Sequence, residues 1–180
     1  LVERSHHPKV IAIGETGLDY FRLEGDLSWQ RERFRRHIRA AKLSGLPLII
    51  HTRSSAQDTL TIMREEGASE VGGVMHCFTE SWEVAQAAMD MNFYISFSGV
   101  ITIFPEYEEV VRFVPIDRIL PETDAPFASP LPWRGKRCEP QYVKEVVKKI
   151  AELKGLSLED AEKALIYNVK TLFYKQGQIL

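Results

Sequence analysis

Cysteine is nearly absent. Cys77 and Cys138 are the only two in 180 residues, too few and too far apart for a disulfide framework or a paired-cysteine metal knuckle. Such usage suits a reducing compartment, and we expect the cytoplasm. An excess of either charge is also missing: 23 Lys and Arg face 25 Asp and Glu, for a formal net charge of −2. No global basic field of the kind that drives non-specific binding to nucleic acid is available, so a polyanionic substrate would have to be held by local charge or by metal. No apolar run approaches the roughly 20 residues of a membrane helix, and nothing near Leu1 reads as a basic and then apolar signal segment. We therefore expect no membrane partner. With 11 glycines and 9 prolines, collagen-like and low-complexity chains are excluded as well.

What is present is alternation. Short Ile- and Val-rich runs at Val10–Gly14, Leu48–Ile50, Gly73–Met75, Phe93–Phe97 and Arg118–Leu120 are separated by stretches of helical period. That is the pattern of βα units around a largely parallel sheet. Most of these runs are apolar throughout, as expected of strands covered on both faces. Pro121 removes a ladder donor and belongs at a strand end or a bulge. Between the strands, Ser28 is placed to cap a helix carrying Phe34, Ile38 and Ala41 and ending at Gly45. Ser55 and Asp58 resemble an acidic capping box for a helix that turns Leu60 and Met63 inward and closes at Gly67. Further helices are marked by Val84, Ala88 and Met91, by Tyr107, Val110, Val111 and Val114, and by Val143, Val146, Val147 and Ile150. Ser157 and Asp160 open the last. The proline-rich stretch from Ala125 to Cys138 reads as an irregular loop.

The informative feature is the type of residue that ends each run. Gly14 gives way to Glu15, Ile50 to His51 and Met75 to His76, and Leu120 is soon succeeded by Glu122 and Asp124. In parallel α/β folds the strands' C-terminal ends share one face where loops converge. Two carboxylates and two imidazoles brought together there can bind Zn²⁺, Mn²⁺ or a related divalent ion. A histidine after a single apolar run is ordinarily a partly buried residue making local hydrogen bonds; the repetition over several strands is what argues for a shared site.

The blocks GETGLDY (Gly14–Tyr20), PLIIHTR (Pro47–Arg53), GGVMHCF (Gly72–Phe78), YISFSG (Tyr94–Gly99) and ETDAPF (Glu122–Phe127) resemble, in order and over almost the whole chain, the signatures of the TatD family of metal-dependent hydrolases. The resemblance implies an α/β fold, the TIM (β/α)8 barrel of the metal-dependent hydrolase type. It implies a metal-dependent deoxyribonuclease, expected to be an exonuclease on DNA, with two divalent metal ions (Zn, Mn or Mg) per complete site. By the same resemblance Glu15 matches a metal-bridging carboxylate, and His51 and His76 match histidine ligands. Asp124 matches a metal ligand that serves as general base. The alternative within the enzyme class is ester hydrolysis, as in a D-aminoacyl-tRNA deacylase.

The family's opening HxH motif has no counterpart among His6, His7, His37, His51 and His76. A TIM barrel typically takes about 250 residues, and only five strand candidates are found. We therefore expect strands four to eight in a single, N-terminally truncated domain spanning 1–180, and a catalytically impaired fragment is the non-enzyme alternative. Arg53 suits bidentate phosphate contact or an ion pair with a neighbouring acid. Glu122 and Asp19 are read as orienting ligands from behind or capping loops. Among the tryptophans, Trp133 is the best stacking candidate, and Lys136 and Arg137 could meet phosphates. Arg137-Cys138-Glu139-Pro140 resembles the family's RNEP with Cys in place of Asn, and Cys138 is read as a neutral substitution.

Overall fold

The computed structural model describes residues 1–174. Five strands, β1 (Ile13–Asp19), β2 (Leu48–Arg53), β3 (Gly73–Met75), β4 (Phe93–Phe97) and β5 (Ile119–Pro121), lie side by side in chain order. Every neighbouring pair is parallel. Seven helices accompany them among the described residues: α1 (Val2–Ser5), α2 (Ser28–Ser44), α3 (Ala56–Glu65), α4 (Trp82–Met89), α5 (Glu108–Phe113), α6 (Val143–Lys154) and α7 (Leu158–Phe173). A doubly wound sheet reverses its strand order at a switch point. This order never reverses, so crossovers of one hand put the connecting helices on the same side, as in a section of barrel wall.

Strand period sorts the side chains into two layers. Leu18, Ile50, Met75, Phe93, Ile95, Phe97 and Ile119 turn to the helices and join Phe34, Ile38, Met63 and Ile150 in one apolar cluster. On the opposite face Val74, Tyr94 and Leu120 form a smaller cluster, packed by Ile49 and, from α7, by Val169, Leu172 and Phe173. Counting by twos from Ile49, Val74, Tyr94 and Leu120 gives His51, His76, Ser96 and Glu122. The polar residues at the strand ends thus continue the second face.

Several sequence expectations need correction. The first strand does not run over Val10–Gly14; it starts at Ile13 and continues to Asp19, with a register shift between Ile13 and Thr16. Glu15 therefore lies within the strand, and His51 lies within β2, not after it. Ser28 is the first residue of α2 and not its cap. Its amide and hydroxyl donate instead to the Asp26 carboxylate, at 2.8 Å each. Ser55 does precede α3, yet its hydroxyl donates to the Leu18 carbonyl at 2.8 Å and so ties the helix start to β1. Other signals are found where expected: Gly45 and Gly155 end α2 and α6 in the left-handed conformation, Ser157 Oγ accepts from the Asp160 amide, and Pro121 is the last residue of its strand.

Candidate metal centre

Register brings the candidate ligands together. His51 is paired with Gly17, and Met75, just before His76, with Ile50. The close approach of β1 to β2 depends on glycine: Gly17 has φ +137°, and a Cβ there would lie 2.0 Å from the His51 carbonyl oxygen. The His76 amide donates to the Ile50 carbonyl at 2.8 Å, and the Glu122 amide to the Phe97 carbonyl at 3.0 Å. Backbone pairing thus sets the stations from which Glu15, His51, His76, Glu122 and Asp124 reach one another.

His76 is the pivot. Its Nδ1 lies 2.9 Å from Glu122 Oε2, which also accepts from the Ser96 hydroxyl at 2.5 Å. Its Nε2 lies 3.8 Å from Glu15 Oε1 and 3.6 Å from Asp124 Oδ1. Those two gaps are too long for hydrogen bonds, and they suit donor atoms that share an ion. On the other side of Glu15, His51 Nδ1 lies 3.2 Å from Oε1, and His51 Nε2 lies 3.1 Å from Asp19 Oδ2. Asp19 Oδ1 also accepts from the Phe21 amide at 2.9 Å, which caps the turn after β1. Glu122 Oε1 is buried with no hydrogen-bond partner among the described residues.

Four carboxylates around two imidazoles leave a surplus of negative charge. Burial works against a charged His76, but the hydrogen bond to Glu122 and the charges of Glu122, Glu15 and Asp124 outweigh it and push the imidazole up to about 9. Asp124 is raised by its own burial, against the opposing pull of His76 and with the help of Glu122 and Glu15. Cys77, beside His76, is not a ready ligand: burial pushes its thiol up to about 12, against the Ser98 hydrogen bond, so the thiolate is disfavoured.

The donor set fits a divalent cation in chemistry. Among the described residues no three His, Cys, Asp or Glu side chains already stand around one point as a finished metal site. Side-chain rotations that aim these donors, 3.2–3.8 Å apart, at one point would be needed. Glu15, His51, His76 and Asp124 are the residues that could hold the ion, with Glu122 and Asp19 behind the two imidazoles.

Other expected residues divide. Arg53 borders the same cavity as the cluster and forms no ion pair among the described residues: its register partner Asp19 is taken by His51, and its guanidinium lies 3.8 Å over the Phe21 ring. Trp133 does not face the cluster; it stacks on Tyr142 at 4.9 Å, and Lys136 lies 5.1 Å over its ring. Cys138 is buried. Sequence reasoning missed Ser96, although a polar residue near the end of an otherwise apolar strand was a usable signal.

The profile of the family described as TatD related DNase matches residues 1–174. A Bacillus subtilis protein named metal-dependent hydrolase YabD, described as uncharacterized, is 51% identical over 173 residues, covering 95% of this chain and 68% of that protein. The protein named 3'-5' ssDNA/RNA exonuclease TatD of Escherichia fergusonii is 31% identical over 180 residues, covering 96% of this chain and 69% of that one. The crystal structure of the TatD homologue YJJV from Escherichia coli superposes with a TM-score of 0.87 at 28% identity, covering 97% of this chain and 67% of that one. The chain spans about two thirds of the length of the curated relatives it matches. No helix among the described residues is long and apolar enough to cross a membrane.

Proposed function

The chain belongs to the TatD-related DNase family, and from that premise we propose that residues 1–180 act as one cytoplasmic, divalent-metal-dependent hydrolase domain that cleaves phosphodiester bonds of DNA as an exonuclease. The observation that carries the reading is the pair of gaps at His76: Nε2 faces Glu15 and Asp124 at 3.8 and 3.6 Å, while Nδ1 is taken by Glu122. A relative is named an exonuclease on single-stranded DNA and RNA, which supports the substrate class.

Glu15, His51, His76 and Asp124 would hold divalent metal, two ions in a complete site. Bound, such ions lower the pKa of a water towards about 7 and neutralise charge on a phosphoryl oxygen. The rest falls to side chains of this chain. Glu122, braced by Ser96, fixes the His76 ring so that Nε2 points to the cluster. Asp124, raised by burial, accepts the proton of the attacking water at a carboxylate oxygen. Arg53, with no acid partner among the described residues, holds the substrate phosphate through its planar fork.

The test is the incubation of a 5'-labelled single-stranded oligonucleotide with the chain in Mn²⁺, Mg²⁺ or Zn²⁺, with EDTA as control. Progressive shortening that EDTA abolishes is expected. Intact substrate with a folded chain in all three metals would overturn the reading. Hydrolysis of an aminoacyl-tRNA ester without cleavage of DNA would move it to the carboxylic ester bond.

A further inference from the structure

The cavity in front of the cluster has a lining that the hydrolytic chemistry uses only in part. Beside the four candidate ligands it is walled by Arg53, Tyr107 and Phe127 and encloses about 570 Å³, within the range of about 300–1,000 Å³ usual for small-molecule sites. Phe127 is 71% exposed. Single exposed apolar side chains are common, but this one stands three residues from Asp124, in a turn closed by its amide on the Asp124 carbonyl at 2.7 Å.

That turn is braced. Leu131 donates its amide to Thr102 Oγ1 at 2.9 Å, Cys138 donates its amide to the Pro126 carbonyl at 3.0 Å, and Ser129 Oγ donates to the Lys136 carbonyl at 2.5 Å. The loop also packs onto Gly99, where a Cβ would meet the Ala128 carbonyl oxygen at 2.2 Å. A ring is therefore held at the cavity with most of its surface uncovered. Arg53 supplies the matching charge from the β2 side, its guanidinium stacked on Phe21 at 3.8 Å and its donors unclaimed by Asp19.

We propose that Phe127 is a base-stacking residue and Arg53, supported by Phe21, a phosphate-holding residue of a single nucleotide site, so that the cavity takes the unpaired terminal nucleotide of a single strand. The inference rests on the phosphodiesterase reading for its substrate class. An aromatic face accepts any base, because every base has a π-face. An arginine lying on an aromatic ring keeps its fork oriented for a phosphate. In a duplex the base faces are already covered by stacking and must be extruded before a side chain can take them.

The test is the fluorescence anisotropy of a labelled oligothymidylate, in Ca²⁺ so that binding is read without turnover, together with cleavage of an abasic single strand in Mn²⁺. Phe127→Ala is expected to weaken binding of the thymidylate at least about fivefold. Phe127→Trp should preserve it, and Arg53→Ala should weaken it and flatten its salt dependence. A duplex of the same sequence should bind more weakly and ignore Phe127. Because Phe127 is exposed, Phe127→Ala should melt like the parent. Thymidylate binding by Phe127→Ala within twofold of the parent would overturn the inference, and if the parent still cleaves the abasic strand the functional reading stands without it. Loss of binding in Phe127→Ala, in a parent that cleaves neither strand, would retain the stacking site and remove the nuclease.

Discussion

On the β3–β5 side of the centre, the His76 side chain is 16% exposed and closed by a bond to Glu122, itself 18% exposed and anchored by Ser96. On the β1–β2 side, His51 is 32% exposed, its partner Asp19 37% and Glu15 50%. Each imidazole has a carboxylate behind it, yet the His76–Glu122 pair is locked and the His51–Asp19 pair open, while Asp124, 38% exposed, is as open as the second pair. The difference lies in what stands behind each ring: Glu122 Oε2 accepts from the Ser96 hydroxyl besides contacting His76, whereas Asp19, behind His51, is tied among the described residues only to the exposed amide of Phe21. A ligand whose ring is already fixed loses little rotamer freedom when an ion arrives, while an exposed ligand must give up more and compete with water. The locked half should therefore dominate affinity and the open half adjust.

That asymmetry is broken most severely at its pivot. His76→Ala removes the nitrogen that faces both Glu15 and Asp124, and Mn²⁺ affinity should fall by more than the roughly 100-fold upper end seen for outer partners. His51→Ala should cost clearly less. Isothermal titration with circular dichroism on both variants measures this, and equal losses would refute the division into halves.

One step outward, Glu122→Gln exchanges the acceptor that orients His76 for an amide, and Asp19→Asn does the same behind His51. The first should weaken Mn²⁺ binding by about 10–100-fold and the second by no more than about tenfold. The same titrations rank them, and a larger effect at Asp19 would reverse the comparison.

How far the sequence shows these halves depends on what each residue contacts. The bounds of β3 and β4 were legible because Gly73–Met75 and Phe93–Phe97 are covered on both faces and so read as uninterrupted apolar runs. β1 was misplaced because its polar residues, Glu15, Thr16 and Asp19, interrupt the run, while Val10 and Ile11 mimic a strand without pairing as one. Helix starts were read from residue type, which cannot tell which nearby acceptor wins: Asp26 took Ser28, and the Leu18 carbonyl took Ser55. The candidate ligands stood out as polar residues ending apolar runs. Ser96 carries the same mark within Phe93–Phe97 but its role depends on the Glu122 carboxylate, and Phe127 carries none, since a phenylalanine in a loop gains meaning only from the cavity beside it.

The smallest effect is expected far from the centre and sharpens the comparison by contrast. The end of α6 packs at the base of the sheet, where Lys154 caps the Arg112 and Val114 carbonyls just ahead of β5. Ser157, at the start of α7, lies three residues beyond that end and accepts from the Asp160 amide at 3.1 Å. Ser157→Ala removes this cap and should cost about 1 kcal/mol, a fall in Tm of about 2–4 °C for a domain near this size, with Mn²⁺ affinity unchanged. A thermal melt alongside the titration separates the two quantities. If loss of this cap weakened the metal, ligand placement would depend on the whole helical layer; if only the melt moves, strand register and the bonds behind His76 set the centre locally.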